Sequence, residues 1–306
     1  MSTPIIKVEN LSKTYSKAKV AAVDKISFEV FEGEFFCLLG VNGAGKSTTI
    51  NIICTLLEKT SGNVEIDGYI LGAGKDEFAI KRRIGVVFQG NVLDDMLSVH
   101  ENLFSRAAFY GLERASAKIR IEALIEELNM KDFVKKRYGK LSGGQRRKCD
   151  IARALLAEPK ILFLDEPTTG LDPQSRIDLW RVIENLRKKD KMTVFLTTHY
   201  MEETDDADRV AIMDKGNILC IDTPQRLKSI YSTNILRLTP KDGQEKEIEK
   251  MLGNFERVAD SYDVKIPENI DAINLLEKLK PYLDSFEMKK GNMDSVFLTV
   301  VGRKAI

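Results

Sequence analysis

Gly40-Val41-Asn42-Gly43-Ala44-Gly45-Lys46-Ser47-Thr48 and the acidic pair Asp165-Glu166 are the residues here whose types and spacing can do chemistry. The first segment fits G-x-x-x-x-G-K-[ST]. Its glycines let backbone N–H groups close around phosphate oxygens, and a helix starting after Gly45 adds partial positive charge. Lys46 is placed to reach the β- and γ-phosphates of a nucleoside triphosphate, and the Ser47 hydroxyl to bind Mg²⁺. Asp165 and Glu166 close the apolar run Ile161-Leu162-Phe163-Leu164, and strand ends of a doubly wound sheet are where ligands bind. Asp165 is expected to hold the metal, directly or through water, and Glu166 to polarise an attacking water as general base. Between these segments stands Leu141-Ser142-Gly143-Gly144-Gln145, followed by a helical stretch from Arg146 to Leu156. Ser142, Gly143 and Gly144 make a second anion-binding helix start, with Ser142 as N-cap and phosphate donor.

These residues need strands behind them and helices after them. Phe35-Phe36-Cys37-Leu38-Leu39 reads as a buried parallel strand leading into the glycine-rich loop, and Ile50, Ile53, Cys54 and Leu57 mark one face of the helix that follows. Ile161–Leu164 and Thr193–Leu196 read as further buried strands, the second ending just before His199. Alternation through Ile5–Val30 predicts antiparallel strands, with others at Val64–Gly68 and Val86–Phe88. Residues about 92 to 157 are helical by period, as in Ile121, Leu124, Ile125 and Leu128, and Ile177–Leu186 is another amphipathic helix. Val210–Met213 and Ile218–Ile221, joined by Lys215-Gly216-Asn217, read as a hairpin. After about residue 230 the motifs stop. Short segments from Ile235 to Lys289 and a last helix beginning at Asp294 suggest a small mixed α/β unit.

In this order the motifs resemble the nucleotide-binding subunit of ABC (ATP-binding cassette) ATPases, over roughly residues 5 to 230. The resemblance implies an α/β P-loop NTPase fold: an ABC nucleotide-binding domain over 1–230, with an antiparallel β subdomain and a helical subdomain at about 92–157, and a C-terminal accessory α/β unit over 231–306. It implies ATP hydrolysis with ATP and Mg²⁺ as the bound species. Tyr15, in Leu11-Ser12-Lys13-Thr14-Tyr15, falls where the family places a ring on the adenine. Gln89, in Val86-Val87-Phe88-Gln89, matches the glutamine that senses Mg²⁺ and the γ-phosphate. Leu141–Gln145 matches the family signature, Asp172 in Gly170-Leu171-Asp172 the D-loop, and His199 in Leu196-Thr197-Thr198-His199 the switch histidine. The implied catalytic set is Glu166, His199, Gln89 and Lys46. The implied nucleotide contacts are Tyr15, the loop from Asn42 to Thr48 (Asn42, Gly43, Ala44, Gly45, Lys46, Ser47, Thr48), the signature residues Ser142, Gly143, Gly144 and Gln145, and Asp172. The implied metal donors are Ser47, Gln89 and Asp165. In this family two subunits, identical or different, pack head to tail, and each ATP lies between the P-loop of one and the signature of the other.

Leu93-Asp94-Asp95-Met96-Leu97-Ser98-Val99-His100-Glu101-Asn102-Leu103 and the tail Asp294–Leu298 resemble the ATPase subunits of antibiotic and multidrug exporters, which pair with a separate ABC-2 type membrane permease. The expected function is therefore the ATP-hydrolysing subunit of such an exporter, cytoplasmic and held to the inner face of the membrane through its permease. The competing expectation is a soluble ABC-type ATPase acting on ribosomes or DNA. Ribosome-type members usually carry two cassettes, whereas this chain shows one P-loop and one signature; DNA-repair members insert a long coiled coil, and no sustained heptads occur here. The balance of 47 basic and 46 acidic residues, net +1, gives no global pull toward nucleic acid, and none is expected as a partner. The clusters Lys135-Lys136-Arg137 and Arg146-Arg147-Lys148 read as solvated faces or phosphate neighbours. Cys37, Cys54, Cys149 and Cys220 lack metal spacing and read as reduced thiols. Met1-Ser2-Thr3-Pro4 carries no leader pattern, and no apolar run approaches the length of a membrane span.

Overall fold

Alternation near the start of the chain becomes an antiparallel sheet in the computed structural model, which describes residues 3–16, 18–266 and 269–302. Met1 and Ser2, read above for a leader, lie outside the described residues. β1 (Pro4–Lys13) pairs with β2 (Val23–Phe31), setting Ile6 against Val30 and Val8 against Phe28. β3 (Phe35–Leu39) leaves for a second sheet, while β4 (Ser61–Ile66) and β5 (Tyr69–Ile70) complete the order β2-β1-β4-β5. The second sheet takes β3, β6 (Ile84–Val87), β7 (Ile161–Asp165), β8 (Thr193–Thr198), β9 (Arg209–Asp214) and β10 (Asn217–Asp222) in the order β10-β9-β3-β8-β7-β6. β3, β7 and β8 are buried along their whole length; the apolar runs Phe35–Leu39, Ile161–Leu164 and Val194–Leu196 suit parallel strands covered on both faces, and the flanking Asp165, Thr193, Thr197 and Thr198 are buried with them. Phe28 of the first sheet stacks on Phe36 of the second at 5.4 Å between centroids and lies 6.0 Å from Phe195 of the second, so aromatic rings join the layers.

Register positions the chemistry. Leu39 pairs with Thr198 and Asp165 with Thr197, so the loops leaving β3, β7 and β8 emerge side by side. α1 (Lys46–Ile53) follows β3, and α6 (Pro173–Asp190) follows β7. The β9–β10 turn uses Lys215 and Gly216, both at positive φ (45° and 80°), as a two-residue hairpin of right-handed twist demands. Its Gly216 N–H donates to the Ala44 carbonyl at 2.9 Å and so props the glycine-rich loop from behind.

The helical region holds α3 (Val99–Phe109), α4 (Arg114–Glu127) and α5 (Gly143–Leu155), preceded by α2 (Asp76–Arg83), which the sequence reading did not anticipate because only Ile80 of it is buried. The Leu93–Leu103 stretch is built by local bonds. Ser98 and Glu101 form a capping box. The buried Asn102 amide clamps Asp94 through both its main-chain groups at 2.9 Å.

The cluster Arg146-Arg147-Lys148 requires a correction. Arg147 is only 6% exposed and donates to the Phe88 and Gln89 carbonyls at 2.6 and 3.2 Å. Arg146 donates to Gly139 and Leu141, and Arg153 to Val86. Carbonyls at and beyond the end of β6 need donors, and an inward stripe of α5 supplies them. Asp150 shares this stripe, and the Tyr138 hydroxyl lies 3.3 Å from both its oxygens. Burial pushes the Asp150 carboxyl up to about 6 from its ordinary 3.8, with Arg147 and Arg153 opposing. A carboxyl held above its unfolded value stabilises the fold fully below pH 3.8, and that contribution is lost as pH rises to about 6. Asp150→Asn is therefore expected to remove a stability difference of order 3 kcal/mol accumulated across that window, at about 1.36 kcal/mol per pK unit. Urea unfolding of both proteins at about pH 4 and about pH 7 checks this, and parallel pH slopes would refute it.

The chain divides into two compact units, Met1–Ile221 and Asp222–Ile306. The division falls before α7 (Pro224–Tyr231), which packs on α10 (Met293–Gly302). The boundary expected at 230 falls inside α7, which packs with the second unit. The second unit carries β11 (Asn234–Pro240), β12 (Glu256–Val258), β13 (Ser261–Ile266) and β14 (Leu283–Lys289) in the order β12-β13-β11-β14, with α8 (Glu245–Met251) and α9 (Asn269–Leu279). Leu236, Leu238, Tyr262 and Val264 form its core, and Arg237 pairs with Asp263 through two nitrogens at 2.6 and 2.7 Å.

Candidate active site

The loop from Gly40 to Gly45 departs from the buried end of β3 and turns into α1 at Gly45, whose φ of 108° no side-chain-bearing residue adopts readily. A Cβ there would also collide with the Ala22 carbonyl. Lys46 follows, 4% exposed, with Nζ donating to the Gly40 and Val41 carbonyls at 2.8 and 3.2 Å. Asn42, Gly43 and Ser47 face solvent. Thr48 lies 3.2 Å from the Tyr15 hydroxyl, so the fold brings Tyr15 to the loop across 33 residues. The Tyr15 ring stays 44% exposed, and Lys13 Nζ sits 5.4 Å from its centroid.

Four side chains meet on one buried carboxylate. Glu166, 6% exposed, adopts φ +47°, a left-handed backbone that β7 must accept to turn the side chain into the site. Lys46 Nζ lies 3.4 Å from Oε1. Gln89 Nε2 donates to Oε2 at 3.4 Å and the Thr169 hydroxyl at 3.3 Å. His199 Nδ1 lies 3.1 Å from the same oxygen, out of hydrogen-bond alignment. Asp165 beside it accepts the Thr197 hydroxyl at 2.5 Å, and burial raises its carboxyl above the ordinary range. The four residues expected to be catalytic, Lys46, Gln89, Glu166 and His199, are thus neighbours. Thr169 and Thr197 join them unannounced, since nothing in the sequence distinguishes these threonines from other strand-end threonines.

Ser142, Gly143, Gly144, Gln145 and Asp172 do not join this cluster. Among the described residues no hydrogen bond or ion pair connects them to Lys46 or Glu166. They form a second patch. Ser142 and Gln145 make a capping box at the start of α5. A Cβ on Gly144 would stand 2.5 Å from Ser175 Oγ, so only glycine lets α5 approach the start of α6 this closely. Asp172 caps α6, accepting the Ser175 N–H at 2.9 Å and hydroxyl at 2.6 Å, and those bonds hold its carboxyl below the ordinary range.

Residues 23–169 match the family model described as ABC transporter. Across 308 aligned residues the chain is 33% identical to the doxorubicin resistance ATP-binding protein DrrA of Mycobacterium tuberculosis, covering 96% of this chain and 92% of the relative. This chain belongs to the ABC transporter ATP-binding proteins. It is also 34% identical to the linearmycin resistance ATP-binding protein LnrL of Bacillus subtilis, covering 98% of this chain and 99% of the relative. A solved dimeric ATP-binding cassette in a post-hydrolysis state, bound to ADP and Pi, superposes with a TM-score of 0.65 at 28% identity, covering 71% of this chain and 98% of that one. The expected α/β P-loop cassette fold holds, and the protein is a nucleotide-binding ATPase. The two resistance proteins align along nearly the whole chain, whereas the solved cassette leaves over a quarter of it unmatched.

Proposed function

We propose that this cassette is the ATP-hydrolysing subunit of a drug or antibiotic exporter, working as a homodimer or heterodimer beneath a separate membrane permease. The observation that carries this is the near full-length match to two resistance ATP-binding proteins, one named for doxorubicin and one for linearmycin. No helix among the described residues is long and apolar enough to cross a membrane. The chain would sit peripherally on the inner face, through that permease.

Within the cassette, Glu166 takes the proton of the attacking water, Lys46 leaves the Gly40 and Val41 carbonyls for phosphate oxygens, and Gln89 and His199 flank the γ-phosphate. Transfer to water then depends on positioning and charge stabilisation. Mg²⁺, when bound, neutralises charge on the β- and γ-oxygens. The donors near it would be the Ser47 hydroxyl, the Gln89 amide and the Asp165 carboxyl, hard oxygen groups that suit this ion when phosphate oxygens complete its shell. The separation of the Ser142–Gln145 and Asp172 patch from Lys46 supports an ATP shared between two subunits, the patch of one closing on the loop of the other. ATP then draws the subunits together and hydrolysis releases them.

Tyr15 stacks on the adenine. Tyr15→Ala is expected to weaken ATP binding by about 1–3 kcal/mol, the worth of one base-on-aromatic contact, read by titration with a fluorescent ATP analogue; unchanged affinity would remove Tyr15 from the site. The exporter reading is tested by purifying tagged protein from detergent-solubilised membranes. A multi-span membrane protein retained near one to one supports it, and recovery with ribosomes or DNA instead refutes it.

A further inference from the structure

Behind the Glu166 carboxylate lies a second buried acid that the hydrolysis chemistry does not use. Glu203 stands on the short turn Met201–Thr204, four residues past His199, and is 8% exposed. One of its carboxylate oxygens accepts the Thr168 hydroxyl, and the other accepts the Thr198 hydroxyl at 2.5 Å. Both threonines are fully buried. Thr168 lies two residues past Glu166, in the turn whose Thr169 hydroxyl donates to Glu166, and its carbonyl accepts the Leu171 N–H at 3.0 Å. Thr198 immediately precedes His199, and its hydroxyl accepts the Tyr200 N–H at 2.9 Å. A single side chain therefore bridges the turn that carries Glu166 and the turn that carries His199.

No ion pair to Glu203 occurs among the described residues; Arg176, the nearby cation, pairs with Glu202 at 3.4 Å. Burial raises the Glu203 carboxyl above its ordinary range. An apolar side chain here would spare the cost of burying a carboxylate but would leave two fully buried hydroxyls without an acceptor. The two carboxylate oxygens take one hydroxyl each.

We propose that Glu203 is a positioning residue for ATP hydrolysis, locking the Glu166 turn to the His199 turn so that the two side chains stay face to face. This rests on the roles proposed above for Glu166 and His199. Glu203 bonds to the two threonines and not to the glycine-rich loop, so its removal is expected to disturb the transition state and not ATP binding. A misplacement of about 1 Å at a reacting group can cost on the order of a hundredfold in rate.

The test uses the full-length protein and measures kcat and KM for ATP, with thermal melting to confirm folding. Glu203→Ala is expected to lower kcat at least about tenfold with KM for ATP unchanged. Glu203→Gln keeps one acceptor oxygen, and a threonine hydroxyl can reverse to accept from the new amide, so it is expected to recover most of the lost kcat. If Glu203→Ala does not fold, Thr198→Val removes one of the two bonds and is expected to lower kcat at unchanged KM. A folded Glu203→Ala, or in its place Thr198→Val, with wild-type kcat overturns the proposal. So does a fall in kcat matched by a rise in KM, or a Gln variant no better than Ala. Glu166→Gln is run alongside: full hydrolysis by that variant sinks the site reading itself, whereas its inactivity beside a fully active Glu203→Ala sinks only this inference.

Discussion

Glu166→Gln is expected to bind ATP and fail to hydrolyse it. The substitution keeps the shape of a side chain surrounded by Lys46, Gln89, Thr169 and His199, but an amide cannot take a proton from water. A positioned general base contributes about 10²- to 10⁴-fold, and a fall of that size in kcat is the expected result in a steady-state phosphate-release assay. ATP affinity should hold or rise, because the change removes a negative charge that the γ-phosphate would otherwise face at close range. Hydrolysis at the wild-type rate would assign the base elsewhere. Weakened ATP binding would make Glu166 a ligand-holding group instead.

Lys46→Ala is expected to act on binding and on the resting protein together. A hydrogen bond from a charged donor contributes about 1.5–3 kcal/mol, so ATP affinity should fall by about ten- to a hundredfold at 1.4 kcal/mol per decade. The nucleotide-free protein should lose stability as well. Lys46 and Glu166 are both nearly buried at 3.4 Å, and removing one partner of a buried pair leaves the other charge uncompensated, typically at about 3–5 kcal/mol. Part of that loss is spared if water reaches Glu166 through the space the lysine vacates. Nucleotide titration and apo-state melting check the two halves separately. Unchanged affinity would contradict the phosphate role, and an unchanged melting temperature would mean that the pair is energetically silent at rest.

The parts of the fold that are readable from sequence are those whose burial is uniform. β3, β7 and β8 are covered on both faces, so each carries an unbroken apolar run, Phe35–Leu39, Ile161–Leu164 and Val194–Leu196. α2 gives no signal because Ile80 is its one buried residue and its other anchors are polar, Arg83 to Asp67 and Tyr69 and Asp76 to Ile70, so it shows no apolar stripe. α6 runs from Pro173 to Asp190, well beyond the Ile177–Leu186 period, although Asp172-Pro173 carried its start: an N-cap acid followed by proline at the first helical position. Thr223-Pro224 marks the start of α7 in the same way.

The site divides along a similar line. Lys46, Asp165 and Glu166 are legible because the loop and the strand end that carry them are local patterns. Tyr15, Gln89 and His199 follow only from family resemblance, since no local pattern says that Thr198 pairs with Leu39 or that Tyr15 returns to Thr48. Arg147 was misread for a related reason. A basic cluster on a helix looks solvated until the face that crosses β6 is known, and Arg147, Asp150 and Arg153 recur every third residue along that hidden face. Glu203 gave no signal at all: among Glu202, Glu203, Asp205 and Asp206 it is one acid of several, singled out only by two buried hydroxyls.

The most direct measurement is analytical sedimentation of Glu166→Gln with and without ATP, beside the double variant that adds Ser142→Arg. If each ATP is shared between the glycine-rich loop of one subunit and the Ser142 patch of another, Glu166→Gln sediments as a dimer with ATP and as a monomer without it, and the arginine at position 142 abolishes the dimer while Lys46 still binds nucleotide. A double variant that dimerises on ATP as readily as the single one would contradict this, placing the Ser142 patch outside the interface and leaving ATP binding uncoupled from subunit closure.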